Sequence, residues 1–206
     1  MRTYPSEAVK GRDLPSVTSV LDMISKPQLY SWYGAKGNAE CKRILAESAA
    51  RGTATHEAIE RHLFGDERGW EVVVTAPYKA GALGAIKELD IPKEGIRSEV
   101  TVRHEAAGYA GTFDLLYPSA GGLTLLDWKT SSAIYPEYGL QLAAYAKAFE
   151  LGSDEKVKRL LVVRVGKDGE YEIGDFSEKK ESNYLTFLAA LELFLWRHPK
   201  YRIQEA

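Results

Sequence analysis

Cys41 is the only cysteine among the 206 residues, which excludes an internal disulfide, a four-cysteine zinc site and an iron-sulfur cluster on four cysteine ligands. Long apolar runs are missing too. Uncharged apolar stretches such as Leu185 to Leu191 fall far short of the roughly 18 residues that a membrane span needs. No basic-then-apolar leader opens the sequence, so a cytoplasmic or organelle-matrix location is expected. No sign of charge dominates, with 27 Lys and Arg against 29 Asp and Glu. A near-neutral sum gives no electrostatic pointer to nucleic acid, nor does it exclude one, because a site built from carboxylates offsets a basic groove. What is present, 45% apolar and 27% charged residues, is the composition of an ordinary globular chain that buries roughly 70% of its unfolded surface.

Repeats, low-complexity tracts and a Pro- or Gly-rich linker are also lacking, which points to one domain over 1–206. Val17, Val20, Leu21 and Ile24 recur at helical spacing behind Ser16 and Ser19 as caps and predict a short helix over 16–25. Residues 39–64 favour helix, in two pieces or one bent one, because Gly52, Thr53 and Thr55 weaken the middle. A polar loop follows, then a weaker helix over 78–89. The period then changes to two. Residues 98–104, 109–117 and 123–130 read as three strands of an antiparallel meander, then a helix over 136–151, strands over 159–165 and 171–173, and a closing helix over 178–196. Grouped strands interrupted by a helix predict an α/β fold with a mixed sheet flanked by helices. The expected division is a helical segment over 1–52, a core over 53–175 and the closing helix over 176–206.

Leu125-Leu-Asp-Trp-Lys-Thr130 is the most informative segment. On a strand, Asp127 and Lys129 project from one face and Trp128 from the other. The preceding strand carries Gly111-Thr-Phe-Asp114, so two otherwise apolar strands each deliver one carboxylate. At about 4 Å, two such charges repel by about 4 kcal/mol at an effective dielectric near 20, which calls for a cation. Oxygen ligands favour a hard divalent ion such as Mg²⁺ or Mn²⁺. His56 and Glu60 lie four apart and share one helix face, while the position a His-Glu-x-x-His zinc protease requires is Glu60 rather than histidine. Gln141 and Tyr145 are also four apart, with Tyr138 on the same side, on the helix that follows Lys129. Glu99 lies on the first strand of the meander, beside Asp114 if the hairpin forms.

These residues, in this order, resemble the PD-(D/E)XK nuclease superfamily, in particular the RecB-like exonuclease branch that includes small phage exonucleases. The resemblance runs from Leu14-Pro-Ser-Val-Thr-Ser-Val-Leu21 and Lys26-Pro-Gln-Leu-Tyr-Ser-Trp32 through Arg51-Gly-Thr-Ala-Thr-His56, Glu99, Gly111-Thr-Phe-Asp114 and Asp127-Trp-Lys129 to Gln141-Leu-Ala-Ala-Tyr145. It implies a restriction-endonuclease-like core. It further implies that His56, Asp114, Asp127 and the backbone carbonyl of Trp128 hold one or two Mg²⁺ or Mn²⁺ ions, with Glu99 and Glu60 nearby. Lys129 would then stand beside the attacking water, and Gln141 and Tyr145 would position DNA. The imidazole favours Mn²⁺. With Cys41 alone, the chain resembles the members without an iron-sulfur cluster.

For substrate grip, residues 1–52 hold eight Lys and Arg against five Asp and Glu. Tyr30, Trp32 and Tyr33 can stack on bases at about 1–3 kcal/mol each, with Lys26, Lys36, Lys42 and Arg43 on phosphates, although the aromatics serve equally well as caps on the core. The expected activity is a metal-dependent exonuclease on single-stranded DNA ends, in replication, recombination or repair. The alternatives are a non-catalytic DNA-binding or recombination scaffold, and an endonuclease or RNase of the same fold. A Gly-rich phosphate loop ending in Gly-Lys-Ser or Gly-Lys-Thr is absent, so strand unwinding would fall to a recombination or replication partner.

Overall fold

Two short strands, β1 (Thr3–Pro5) and β2 (Asp13–Pro15), open the computed structural model as an antiparallel ladder. It describes residues 1–24 and 27–202, with the backbone alone for 27–31. The ladder adds two strands that the reading of 1–52 as a helical segment did not include. Its strands are too short to show a period, and they form because Tyr4 and Leu14 bury themselves with Ala110. Helix α1 (Val17–Leu21) follows, with Ser16 accepting from the Ser19 amide at 3.0 Å as the capping spacing predicts. Helices α2 (Pro27–Lys36) and α3 (Asn38–Leu63) are joined by Gly37, whose φ of +80° only glycine adopts freely.

Helix α3 is continuous rather than broken at Gly52. A Cβ there would stand 3.4 Å from Thr130 Oγ1, within van der Waals contact of the end of a strand, so the helix carries the roughly 1 kcal/mol that glycine costs in its interior without breaking. The loop beyond α3 contains two 3₁₀ turns, Glu67–Glu71 and Ala76–Tyr78, pinned by buried Trp70 and Tyr78, and leads into α4 (Lys79–Glu88).

The meander is formed by β3 (Arg97–His104), β4 (Tyr109–Ser119) and β5 (Gly122–Lys129). Helix α5 (Glu137–Leu151) crosses over to β6 (Val157–Val165), which pairs parallel to β5; β7 (Tyr171–Asp175) adds antiparallel, and α6 (Lys180–Arg197) closes the fold. The sheet order is β3-β4-β5-β6-β7. Helices α1, α5 and α6 cover one face over Phe113, Leu125 and Val162, while α3 and α4 cover the other over Leu126, Trp128 and Val163. Covered on both sides, β5 and β6 carry consecutive rather than alternating buried residues. Among the described residues no helix is long and apolar enough to cross a membrane.

Candidate active site at a fork in the sheet

A regular strand keeps residues i and i+2 on one face, and β3 and β4 break that rule together. Phe113 belongs to the α5–α6 core and Leu115 to the α3–α4 core; Val100 and Ile96, four apart, also lie on opposite sides. The switch falls at the opposed residues Glu99 and Asp114, where Glu99 has φ +48°. A left-handed non-glycine residue costs about 1–3 kcal/mol and persists only where its surroundings enforce it.

The β4–β5 ladder ends at the same point. Its last pair on this side is Leu115 with Leu126, so Asp114 and Asp127 are the next opposed residues, and here the strands part. Asp114 Oδ2 accepts the Trp128 amide at 2.7 Å in place of a ladder bond. The Trp128 carbonyl points into the same gap, because N–H and C=O of one extended residue share a side. Beyond the fork β5 stays paired with β6, up to Lys129 opposite Arg164.

His56, from the second half of α3, places Nδ1 3.3 Å from Asp114 Oδ2. Lys129 forms an ion pair with Asp127. That contact lacks hydrogen-bond geometry, which leaves buried Asp127 Oδ2 without a hydrogen-bond donor among the described residues. Lys129 Nζ also lies 4.9 Å from the centre of the Tyr138 ring. Beneath this pair Gln141 Nε2 donates to the Tyr145 hydroxyl at 3.1 Å, and both side chains are buried. The sequence places them on the cleft; the structure places them under the carboxylates, as a floor. The Tyr145 ring lies against Gly111, where an added Cβ would run into it. Gly111→Ala is therefore expected to cost about 1–3 kcal/mol in urea or thermal unfolding, as overpacking of a buried ring does. Wild-type stability would show that the ring is free to move.

The charges bias one another in a consistent direction. Burial works against a charged imidazole at His56, yet Asp114 and then Asp127 outweigh it and raise its pKa. Burial would also raise the Asp114 carboxyl, but His56, Lys129 and the Trp128 amide hold it below the usual range. Asp127 goes the other way, pushed up by burial and by Asp114 against the pull of Lys129. Burial of Lys129 is outweighed by the two carboxylates, which keep its ammonium charged. Glu99 stands at the exposed rim of a recess of about 350 Å³ shared with Arg2, Thr53, His56, Glu60 and Asp114. Its covered part, then Asp114 and Glu60, raise its carboxyl. Ser98 Oγ donates to Glu60.

The donor set of one imidazole, two opposed carboxylates and a strand carbonyl suits a hard divalent ion, and Asp127 Oδ2 accepts no hydrogen bond from any group other than its lysine among the described residues. Among the described residues, however, no three His, Cys, Asp or Glu side chains converge as a ready-made cage. Lys129 holds Asp127 instead, so a cation would have to draw Asp127 from its lysine.

The predicted grip residues lie elsewhere. Lys42 and Arg43 stand 14 and 13 residues before His56, about 20 Å along α3, and Arg43 is tied to Glu40 and Glu47. Lys36 is exposed, and Trp32 is half-buried with its ring edge-on to Tyr33. The side chains of Lys26 and Tyr30 lie outside the described residues. Conversely, Arg2, Arg51, Arg164 and Lys167 line hollows that reach His56. Sequence reading counted Arg2 and Arg51 only within the basic excess of 1–52 and gave Arg164 and Lys167 no role, because only tertiary register brings them there.

The profile of the PD-(D/E)XK nuclease superfamily matches residues 28–192. The chain belongs to this superfamily and is a nuclease by family; its members generally use divalent metals such as Mg²⁺. It is similar to the human mitochondrial genome maintenance exonuclease 1, with 28% identity over 173 residues that make up 76% of this chain and 50% of that protein. The chain thus spans about half the length of that relative. Among solved structures it is similar to an alkaline exonuclease from Laribacter hongkongensis, with a TM-score of 0.44, 16% identity, and 90% of this chain and 91% of that one covered. It is also similar to SSO0001, with a TM-score of 0.46, 14% identity, and 85% and 74% covered.

Proposed function

We propose that the protein is a metal-dependent deoxyribonuclease that removes nucleotides from single-stranded DNA ends, as one nuclease domain over 1–206. The observation that carries this reading is the fork: two carboxylates face each other where the ladder stops, with an imidazole on one side and a charged lysine on the other. His56, Asp114, Asp127 and the Trp128 carbonyl would hold Mg²⁺ or Mn²⁺, with Glu60 and Glu99 at the rim. When bound, the ion acidifies a water and takes up negative charge from a phosphate oxygen. Lys129, kept as an ammonium, stabilises charge that develops on the phosphorus oxygens and orients the nucleophile rather than removing its proton. Gln141 and Tyr145, bonded to each other, stand buried within electrostatic reach of the carboxylates, and the Tyr138 ring lies against Lys129. The exonuclease and DNA assignments draw on the similarity to the mitochondrial exonuclease. A role in replication, recombination or repair, with a partner protein, in the cytoplasm of a bacterial or phage-infected cell or in an organelle matrix, belongs to the same reading.

Incubation with end-labelled single-stranded, duplex and circular DNA and matched RNA, in Mn²⁺, Mg²⁺ or EDTA, tests it. Shortening of linear single strands that needs the ion and spares circles and RNA is expected. Cut circles would make the protein an endonuclease, and intact substrates in every metal would remove the enzyme reading.

A further inference from the structure

Two hollows meet at His56 with opposite electrostatic character. The recess on the Asp114 side is acidic. The larger one, about 760 Å³, opens on the Lys129 side between α3 and the ends of β5 and β6, and is lined by Arg51, Lys129, Ser131, Ser132, Arg164 and Lys167. Its basic groups are not all consumed within the fold. Lys129 is paired with Asp127 and Arg164 with Glu172 at 3.2 Å. Arg51, by contrast, has no carboxylate partner among the described residues. Its guanidinium donates once, to Ser48 Oγ at 3.1 Å, and its Nε is buried with no acceptor. Lys167 is exposed on the turn between β6 and β7, also without an acidic partner among the described residues. Asp168, the one acid on the lining, is engaged by the Glu170 amide at 3.3 Å.

A guanidinium nitrogen that is withdrawn from water and left without an acceptor, as Arg51 Nε is, costs free energy until an anion meets it, and a guanidinium suits a phosphate because it binds two oxygens at once. Arg51 precedes His56 by five residues, about 7.5 Å along the helix. At the stacked rise of about 3.4 Å per nucleotide, that is a reach of about two nucleotides, and about one when the strand is extended.

We propose that this cleft is a phosphate subsite, in which Arg51 and Lys167, with the hydroxyl of Ser132, hold a phosphate one or two nucleotides from the one being cleaved. The proposal rests on the nuclease reading and adds to it a direction: the strand enters the fork with the cleavage point at His56 and Asp114 and its neighbouring phosphate on the Lys129 side. The occupant is a nucleic-acid phosphate, either a linkage within the strand or the phosphate at its end.

The test is anisotropy of a dye-labelled short single strand with the full-length protein, in Ca²⁺ and again in chelator, for the wild type, Arg51→Gln and Lys167→Gln. Arg51→Gln is expected to weaken binding roughly tenfold, the worth of one charged hydrogen-bonded contact. Each variant is expected to lower the slope of log affinity against log salt by about 0.7. Lys167 is exposed, so its variant keeps the test informative if Arg51→Gln melts early. A strand with one neutral methylphosphonate linkage, moved along the sequence, and strands with and without a terminal phosphate locate the occupant. The Arg51 effect should vanish either at one internal linkage or with the terminal phosphate. Wild-type affinity and slope in both variants would overturn the subsite and leave the nuclease standing; a wild type that binds no strand under either condition would overturn both.

Discussion

Replacing Lys129 with methionine is expected to lower strand cleavage at least about a hundredfold, the usual effect of removing one group that stabilises developing charge. The substitution keeps the length and apolar stem and removes only the ammonium, which the two carboxylates hold charged despite burial. Stability in chelator should fall as well, because Asp127 is then left buried opposite Asp114 without its own ion-pair partner. Breaking one side of a buried ion pair typically costs about 3–5 kcal/mol. A divalent ion should therefore raise the melting temperature of the variant more than that of the wild type, since it takes over a neutralisation the lysine had supplied. Single-turnover cleavage, measured well below the melting temperature of each protein, separates the two effects. A variant that cuts at the wild-type rate would remove Lys129 from the chemistry.

Metal binding itself should be visible without substrate. A ligand that binds only the folded state at a hundred times its dissociation constant adds about 2.7 kcal/mol. For a chain of this length each kcal/mol moves the midpoint by about 2–4 °C, so Mg²⁺ or Mn²⁺ should raise the melting temperature by about 5–10 °C over EDTA. Asp114→Asn should lose most of the rise, since it removes the carboxylate that also fixes the Trp128 amide and faces His56. No shift with either ion would rule out a shared site on these residues.

The chemistry was the easier part to read from the sequence. Asp127 and Lys129 two apart on a strand had to share a face, and they pair; His56, on a helix from the other layer, does meet Asp114. The meander, the crossover helix and the mixed sheet follow from runs long enough to show a period. Less legible was whatever depends on register between distant segments. The face switch at Glu99 and Asp114 leaves no trace in composition, because each strand merely reads as mixed. Gln141 and Tyr145 share a face as their spacing requires, but spacing does not say whether that face is a wall or a floor. Arg164 reaches the larger cleft only through its parallel pairing with Lys129, which no local pattern encodes.

Helix α3 also acts as a measuring rod. It runs unbroken for 26 residues, about 39 Å, and carries His56 in its second half and the exposed Lys42 near its start. The interval between them is therefore fixed by the helix rise, about 21 Å. At the stacked rise of roughly 3.4 Å per nucleotide, a strand that touched both would cover about six nucleotides, and an extended one fewer. Shorter fragments lose the distant contact while keeping every contact at the fork. As an end is trimmed, the hold on the substrate would weaken at a length set by backbone geometry rather than by base sequence.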